Sequence, residues 1–194
     1  MDEVAARFGA PDRDCIIRVS ARSGDLFEPR ALAAQRSLAE RLAAVDGVEQ
    51  VRSMFDIRRR GVAGAVLPVI PRVEGELTAA EGEAARARAV EHPLIRDHLL
   101  SADASAGLLI ARLEAAADRP PRLGEVVAGI ERLLTDAERE GGGLKLDLTG
   151  LPALREQAAQ ALRHDMLFFN SLGLGLAVVL SACVARSARS TVVA

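Results

Sequence analysis

An α+β domain joined to a membrane-spanning helix is the architecture predicted by this chain of 194 residues. Three observations carry the prediction. Two strand–helix–strand patterns lie about ninety residues apart, each an apolar run, an amphipathic stretch and a second apolar run. Behind them, Met166 to Ala185 (MLFFNSLGLGLAVVLSACVA) passes through twenty residues without a charged side chain. At about 1.5 Å of rise per residue that stretch covers roughly 30 Å, the thickness of bilayer hydrocarbon, and in lipid only a helix satisfies its own backbone hydrogen bonds.

The first unit opens with Cys15 to Val19 (CIIRV), a β-rich run ahead of a turn at Ser23, Gly24 and Asp25. From Glu28 and Pro29 to Val45, residues Leu32, Leu38, Leu42 and Val45 share one side, while Arg30, Arg36, Glu40 and Arg41 lie largely elsewhere. This is an amphipathic helix with proline in its first turn and Asp46-Gly47 at its end. Val48 to Phe55 (VEQVRSMF) then resumes an extended pattern.

Residues 56–104 predict an insertion decorating one edge of the domain. It holds Arg58, Arg59 and Arg60, three glycines, Pro68 and Pro71, and then Thr78 and Glu81, spaced as a capping box that opens an alanine-rich helix. An arginine triplet can hold an anionic head group, but a solvated loop beside acidic neighbours is the simpler reading. Glu81, Glu83, Arg86 and Arg88 read as ordinary helix-surface charges.

The second unit begins with Gly107 to Leu113 (GLLIARL), apolar enough for a central strand. Leu123, Val126, Val127, Ile130, Leu133, Leu134 and Ala137 follow at spacings of three and four, one apolar stripe ended by Gly141, Gly142 and Gly143. Leu144 to Leu148 (LKLDL) alternates, which puts three leucines on a core face and Lys145 and Asp147 on the wet one. Two such units predict a ferredoxin-like split βαβ sandwich, four strands covered by two helices, over residues 1–150. A connecting helix (residues 151–165, helical from Ala153) continuous with the span (166–185), and a cytoplasmic flank (186–194), complete the chain.

All 27 acidic residues lie between Asp2 and Asp165, whereas of the 25 basic residues two, Arg186 and Arg189, follow the apolar stretch. Basic residues collect on the cytoplasmic flank of a membrane helix, so residues 1–165 are expected on the extracytoplasmic side of the inner membrane. The N-terminus, Met1 to Arg7, has neither a basic leader nor an apolar core, so either residues 1–165 stay in the cytosol behind a C-terminal anchor or, the favoured expectation, the chain is a piece of a longer protein with a preceding span. An acidic body with 3% aromatic residues excludes nucleic acid as a partner. Cys15 sits in an apolar strand and Cys183 in the span, so both read as packing residues.

Chemistry is absent from the pattern: no catalytic, cofactor-binding or metal-binding residue is predicted. His92, His98 and His164 are the three histidines, and the first two, six apart, fall on different faces of a helix. The Gly141–Gly143 run leads into a strand rather than a phosphate-binding helix. Asp103 and Ser105 lack a neighbouring base and read as turn formers. Asn170 and Asp165 read as interfacial groups near the water end of the span, or, for Asn170, as a hydrogen-bonding group toward another membrane helix.

The segment LDLTGLPALREQ…HDMLFFNSLGLGLAVVLSACVARSARS resembles the junction between the first extracytoplasmic porter domain and the second membrane helix of resistance-nodulation-division exporters, especially the MmpL-like ones. Upstream, FGAPDRDCIIRVSARSGDLFEPRAL resembles the first strand of that domain, GVEQVRSMF its second, and HPLIRDHLLSADASAGLLIARLE the approach to its third. The order of these segments, over nearly the whole chain, carries the resemblance. It implies part of a proton-driven exporter of lipid-like or amphipathic compounds, and no enzyme. The implied partners are the lipid bilayer, the remaining membrane helices and second porter domain of the parent, a lipid-like small molecule, and further copies in a homo-oligomer. In the family the proton-relay carboxylates lie in other membrane helices, and no position here matches them. A single-pass membrane-anchored ligand-binding or envelope-assembly module is the alternative.

Overall fold

The computed structural model describes residues 11–22, 25–60, 66–70, 78–96 and 98–192. The chain divides into two compact units, Met1–Leu154 and Arg155–Ala194. In the first, a short 3-10 turn leads into β1 (Asp14–Ala21), followed by α1 (Pro29–Ala43), β2 (Val48–Arg52), the short strands β3 (Arg58–Arg60) and β4 (Val66–Pro68), α2 (Ala79–Glu91), the single turn α3 (Pro93–Arg96), β5 (Ala106–Leu113), α4 (Arg122–Arg139) and β6 (Leu144–Gly150). The turn expected at Ser23-Gly24-Asp25 lies mostly outside the described residues.

Four strands form one antiparallel sheet in the order β2-β5-β1-β6, so β5 and β1 take the centre and β2 and β6 the edges. Helix α1 joins β1 to β2 across the strand between them, and α4 does the same for β5 and β6. Alternation sets the faces: Cys15, Ile17 and Val19 of β1 and Leu109, Ala111 and Leu113 of β5 are buried, while Arg18 is exposed. The helices lay their apolar stripes, Leu32, Leu38 and Leu42 from α1 and Leu123, Val126, Val127, Ile130 and Leu134 from α4, into the same core. Ile17, Leu32, Leu38, Leu42, Leu113 and Ile130 are each at most 1% exposed, and burial of such a side chain stabilises by roughly 1.5–3 kcal/mol.

Three expectations change in detail. The extended run after α1 ends at Arg52, because Ser53 and Asp56 build a capping box around a 3-10 turn (Met54–Asp56) that buries Met54 and Phe55. The insertion is no mere edge decoration. Arg58–Arg60 is a strand paired with Val66–Pro68 rather than a loop, and Val69, Ile70, Ala85, Ala89 and Ile95 all join the main core. Its helix starts at the expected capping box, with the Thr78 hydroxyl accepting from the Glu81 N–H and the Glu81 carboxylate accepting from the Thr78 N–H. Finally, Leu146 and Leu148 face the core in register with Val19 and Ile17, but at a sheet edge they are half-buried, and only Leu144 of the three leucines is fully enclosed.

Two polar features hold the sheet where apolar periodicity is silent. Asp14 and Arg112 face each other across β1 and β5, the guanidinium Nε donating to Oδ1 at 2.8 Å and Nη2 to Oδ2 at 3.1 Å. This doubly bonded, mostly buried pair raises the Arg112 pKa further, chiefly through the hydrogen bonds that the guanidinium donates to the Asp14 carboxylate. Gln35, 2% exposed in the middle of α1, donates from Nε2 to the carbonyls of Leu26 at 2.8 Å and Ala31 at 3.2 Å, tying the approach to the helix onto the helix itself.

Strand β6 closes on Gly150, whose φ of +106° is unfavourable for any residue with a side chain. A Cβ there would also run into the carbonyl oxygen of Asp14. Replacing Gly150 by alanine is therefore expected to lower domain stability by about 1–3 kcal/mol. A shift of the urea midpoint checks this, and an unshifted midpoint contradicts the assigned backbone conformation.

Candidate functional site

Directly after Gly150 the chain enters α5 (Leu151–Val192), 42 residues without a break. Pro152 falls in the first turn, where its missing N–H is one the helix could not use. The expected start at Ala153 thus moves two residues earlier, and the connecting helix and the apolar stretch form one element. The reason lies in the sequence: from Ala153 through Met166 there is neither a proline nor a glycine to end a helix.

Within the second unit, the first turns of α5 carry a ladder of polar groups. Glu156, 8% exposed, accepts from Gln160 Nε2 at 3.1 Å and from Arg163 Nη2 at 2.8 Å, one and two turns further along. From there the character of the helix changes. Leu162, Met166, Leu167, Phe168, Phe169, Leu172, Leu174, Leu176, Val178 and Leu180 are all more than half exposed. At about 100° per residue these positions fall on every side of the helix, not on one stripe. Phe168 and Phe169 meet edge to face with centroids 5.7 Å apart, and Ser171 turns its hydroxyl back to the Leu167 carbonyl at 2.7 Å. Asn170 finds no hydrogen-bond partner among the described residues.

Among the described residues no helix is long and apolar enough to cross a membrane. Within the expected span, residues 166–185, the side chains of position 179 and positions 182–185, Cys183 among them, lie outside that description, as do those of Arg186 and Arg189 beyond it.

The other residues singled out by the sequence are scattered rather than assembled. Asp165 and His164 are exposed on α5. His92 caps the C-terminus of α2 and His98 lies in the turn before β5, so the two do not share a helix at all, because Pro93 ends the first one. Arg58 is exposed in β3; the side chains of Arg59 and Arg60 are outside the described residues. Cys15 is fully buried, and burial first, then the charges of Asp14 and Asp118, push its thiol up to about 12, which keeps it protonated and unreactive. Among the described residues no group of three or more histidine, cysteine, aspartate or glutamate side chains is placed to hold a metal ion.

Asp103 does form a turn, and a tight one. Its Oδ1 accepts from Ser101 Oγ at 2.6 Å, Ser105 Oγ at 2.8 Å and the Ser105 N–H at 3.1 Å, while Ala104 takes a φ of +59°. These bonds, that of Ser101 foremost, lower its pKa from 3.8 to about 2. The folded state binds this proton more weakly than the unfolded one, so the contribution of the turn is whole above pH 4 and is lost as pH falls toward 2. Thermal melts across that window are expected to show a loss that Asp103→Asn removes; identical pH profiles for the two proteins would contradict the assignment.

Sequence reasoning missed Gln35 and the Asp14–Arg112 pair. The first had a faint signal, a polar residue between Leu32 and Leu38 on the apolar side of α1. The second had none, since it depends on the register of strands 98 residues apart.

No curated protein matches the chain. A family model matches it over residues 1–194, and the protein belongs to the MMPL family, whose members are membrane-associated transporters of the resistance-nodulation-division type rather than enzymes.

Proposed function

We propose that this chain contributes one extracytoplasmic porter domain and one transmembrane helix to a proton-driven exporter of lipid-like or amphipathic compounds in the cytoplasmic membrane. The observation that carries the reading is α5, an unbroken helix whose large apolar side chains from Leu162 to Leu180 are exposed on all sides. Water penalises such a surface and lipid does not, so a bilayer is the solvent that suits it. The order β2-β5-β1-β6, with α1 and α4 as crossovers, supports a split βαβ sandwich of the porter type. Family membership supports a part in export.

Orientation follows from charge. Arg186 and Arg189 follow the apolar stretch and no acidic residue does, which suits a cytoplasmic flank. On the helix itself Asn170, Gly173, Ala177 and Ser181 recur at spacings of three and four, a small and polar face suited to close packing against neighbouring membrane helices. The carboxamide of Asn170 finds there the partner that lipid cannot supply.

Sidedness tests the proposal. Lys145 lies on the wet face of β6 and its side chain is 59% exposed; in a Cys183→Ser background, Lys145→Cys is expected to react with a membrane-impermeant maleimide in intact spheroplasts, while buried Cys15 stays silent. The membranes are expected to retain the protein through an alkaline carbonate wash. Reaction only after lysis, or release by the wash, overturns the reading.

A further inference from the structure

We draw no further inference here: the strongest candidate, the open cleft of about 350 Å3 between α2 and the turn at Ala102, Asp103 and Ala104, has its charges matched within the protein, Arg86 by Asp25 and Asp103 by Ser101 and Ser105, which leaves the exposed carboxylate of Glu83 with nothing in the structure that points to a ligand.

Discussion

Leu113→Asp is expected to unfold the sheet-and-helix unit, Met1–Leu154, outright. Leu113 ends the central strand β5, is 0% exposed, and pairs with Val48 of β2 in the sheet. A carboxylate at this depth either stays charged without a partner or takes up a proton at a large cost, and it fills the space of the isobutyl group less completely. Together these penalties amount to several kcal/mol, a large share of the roughly 5–15 kcal/mol that holds a domain of this size. The neighbouring comparison is Leu146→Asp. Leu146 faces the core in register with Val19, but at the β6 edge it is only half-buried, and its N–H is already held by the Glu138 carboxylate at 2.6 Å. A new carboxylate there reaches water with a small shift, so a loss nearer 1–2 kcal/mol is expected, within the ordinary range for point substitutions. Urea unfolding of the intact chain in lipid nanodiscs, followed by circular dichroism, separates the two. Equal midpoints for the two variants would mean that the core does not sit between the sheet and α1 and α4.

The contrast between these leucines marks the limit of what the residues reveal before folding. Alternation in LKLDL assigns the face of each side chain correctly, because that depends only on the two-residue period of a strand. How deep the face lies depends on strand order, and nothing local in β6 says that it will be an edge. The same division runs through the rest of the domain. The strands Cys15–Val19 and Gly107–Leu113 and the helix with Leu123, Ile130 and Leu134 stand out because their apolar periods are strong and their ends are marked by glycine or proline. The insertion was harder: Val69 and Ile70 sit among prolines and glycines with no period, yet they end in the core because the β3–β4 pair and the Val69 N–H bond to the Ile57 carbonyl carry them there. Extended pattern at Val48–Phe55 overran its true end because Ser53 and Asp56 make a local capping box that outcompetes the strand.

The residues of the candidate site divide in the same way. That the apolar stretch, residues 166–185, is helical was legible because twenty uncharged residues need no tertiary context to be noticed, whereas its crossing of a membrane stays a proposal. Its continuity with the connecting segment follows equally from local rules, since only the absence of a stop signal was needed. Histidine placement was not legible: the distance between His92 and His98 along the chain says little once Pro93 separates them into different elements.

On the proposed membrane reading of α5, paired arginines at Leu174 and Val178 are expected to keep the helix out of the bilayer. Each side chain is exposed, 70% and 61%, so in water either substitution would be harmless or would improve solubility. Near the middle of a membrane helix an arginine costs about 2.5–3.5 kcal/mol on insertion, so the two together shift the equilibrium by roughly four to five powers of ten, at 1.4 kcal/mol for each tenfold change. Carbonate-washed membranes are expected to retain the wild-type chain and a Leu174→Phe, Val178→Ile control while losing the double-arginine variant. Leu162→Arg sharpens the comparison. Leu162 is 62% exposed, much like Val178, but it precedes His164 and Asp165 on the water side of the apolar stretch, and arginine there is expected to leave membrane retention unchanged. Solvent exposure in the isolated chain ranks these three positions together, and only a bilayer boundary between Asp165 and Leu174 separates them. If all three arginines were tolerated alike, the apolar surface of α5 would have to be covered by protein instead of lipid, and the span would have to be abandoned.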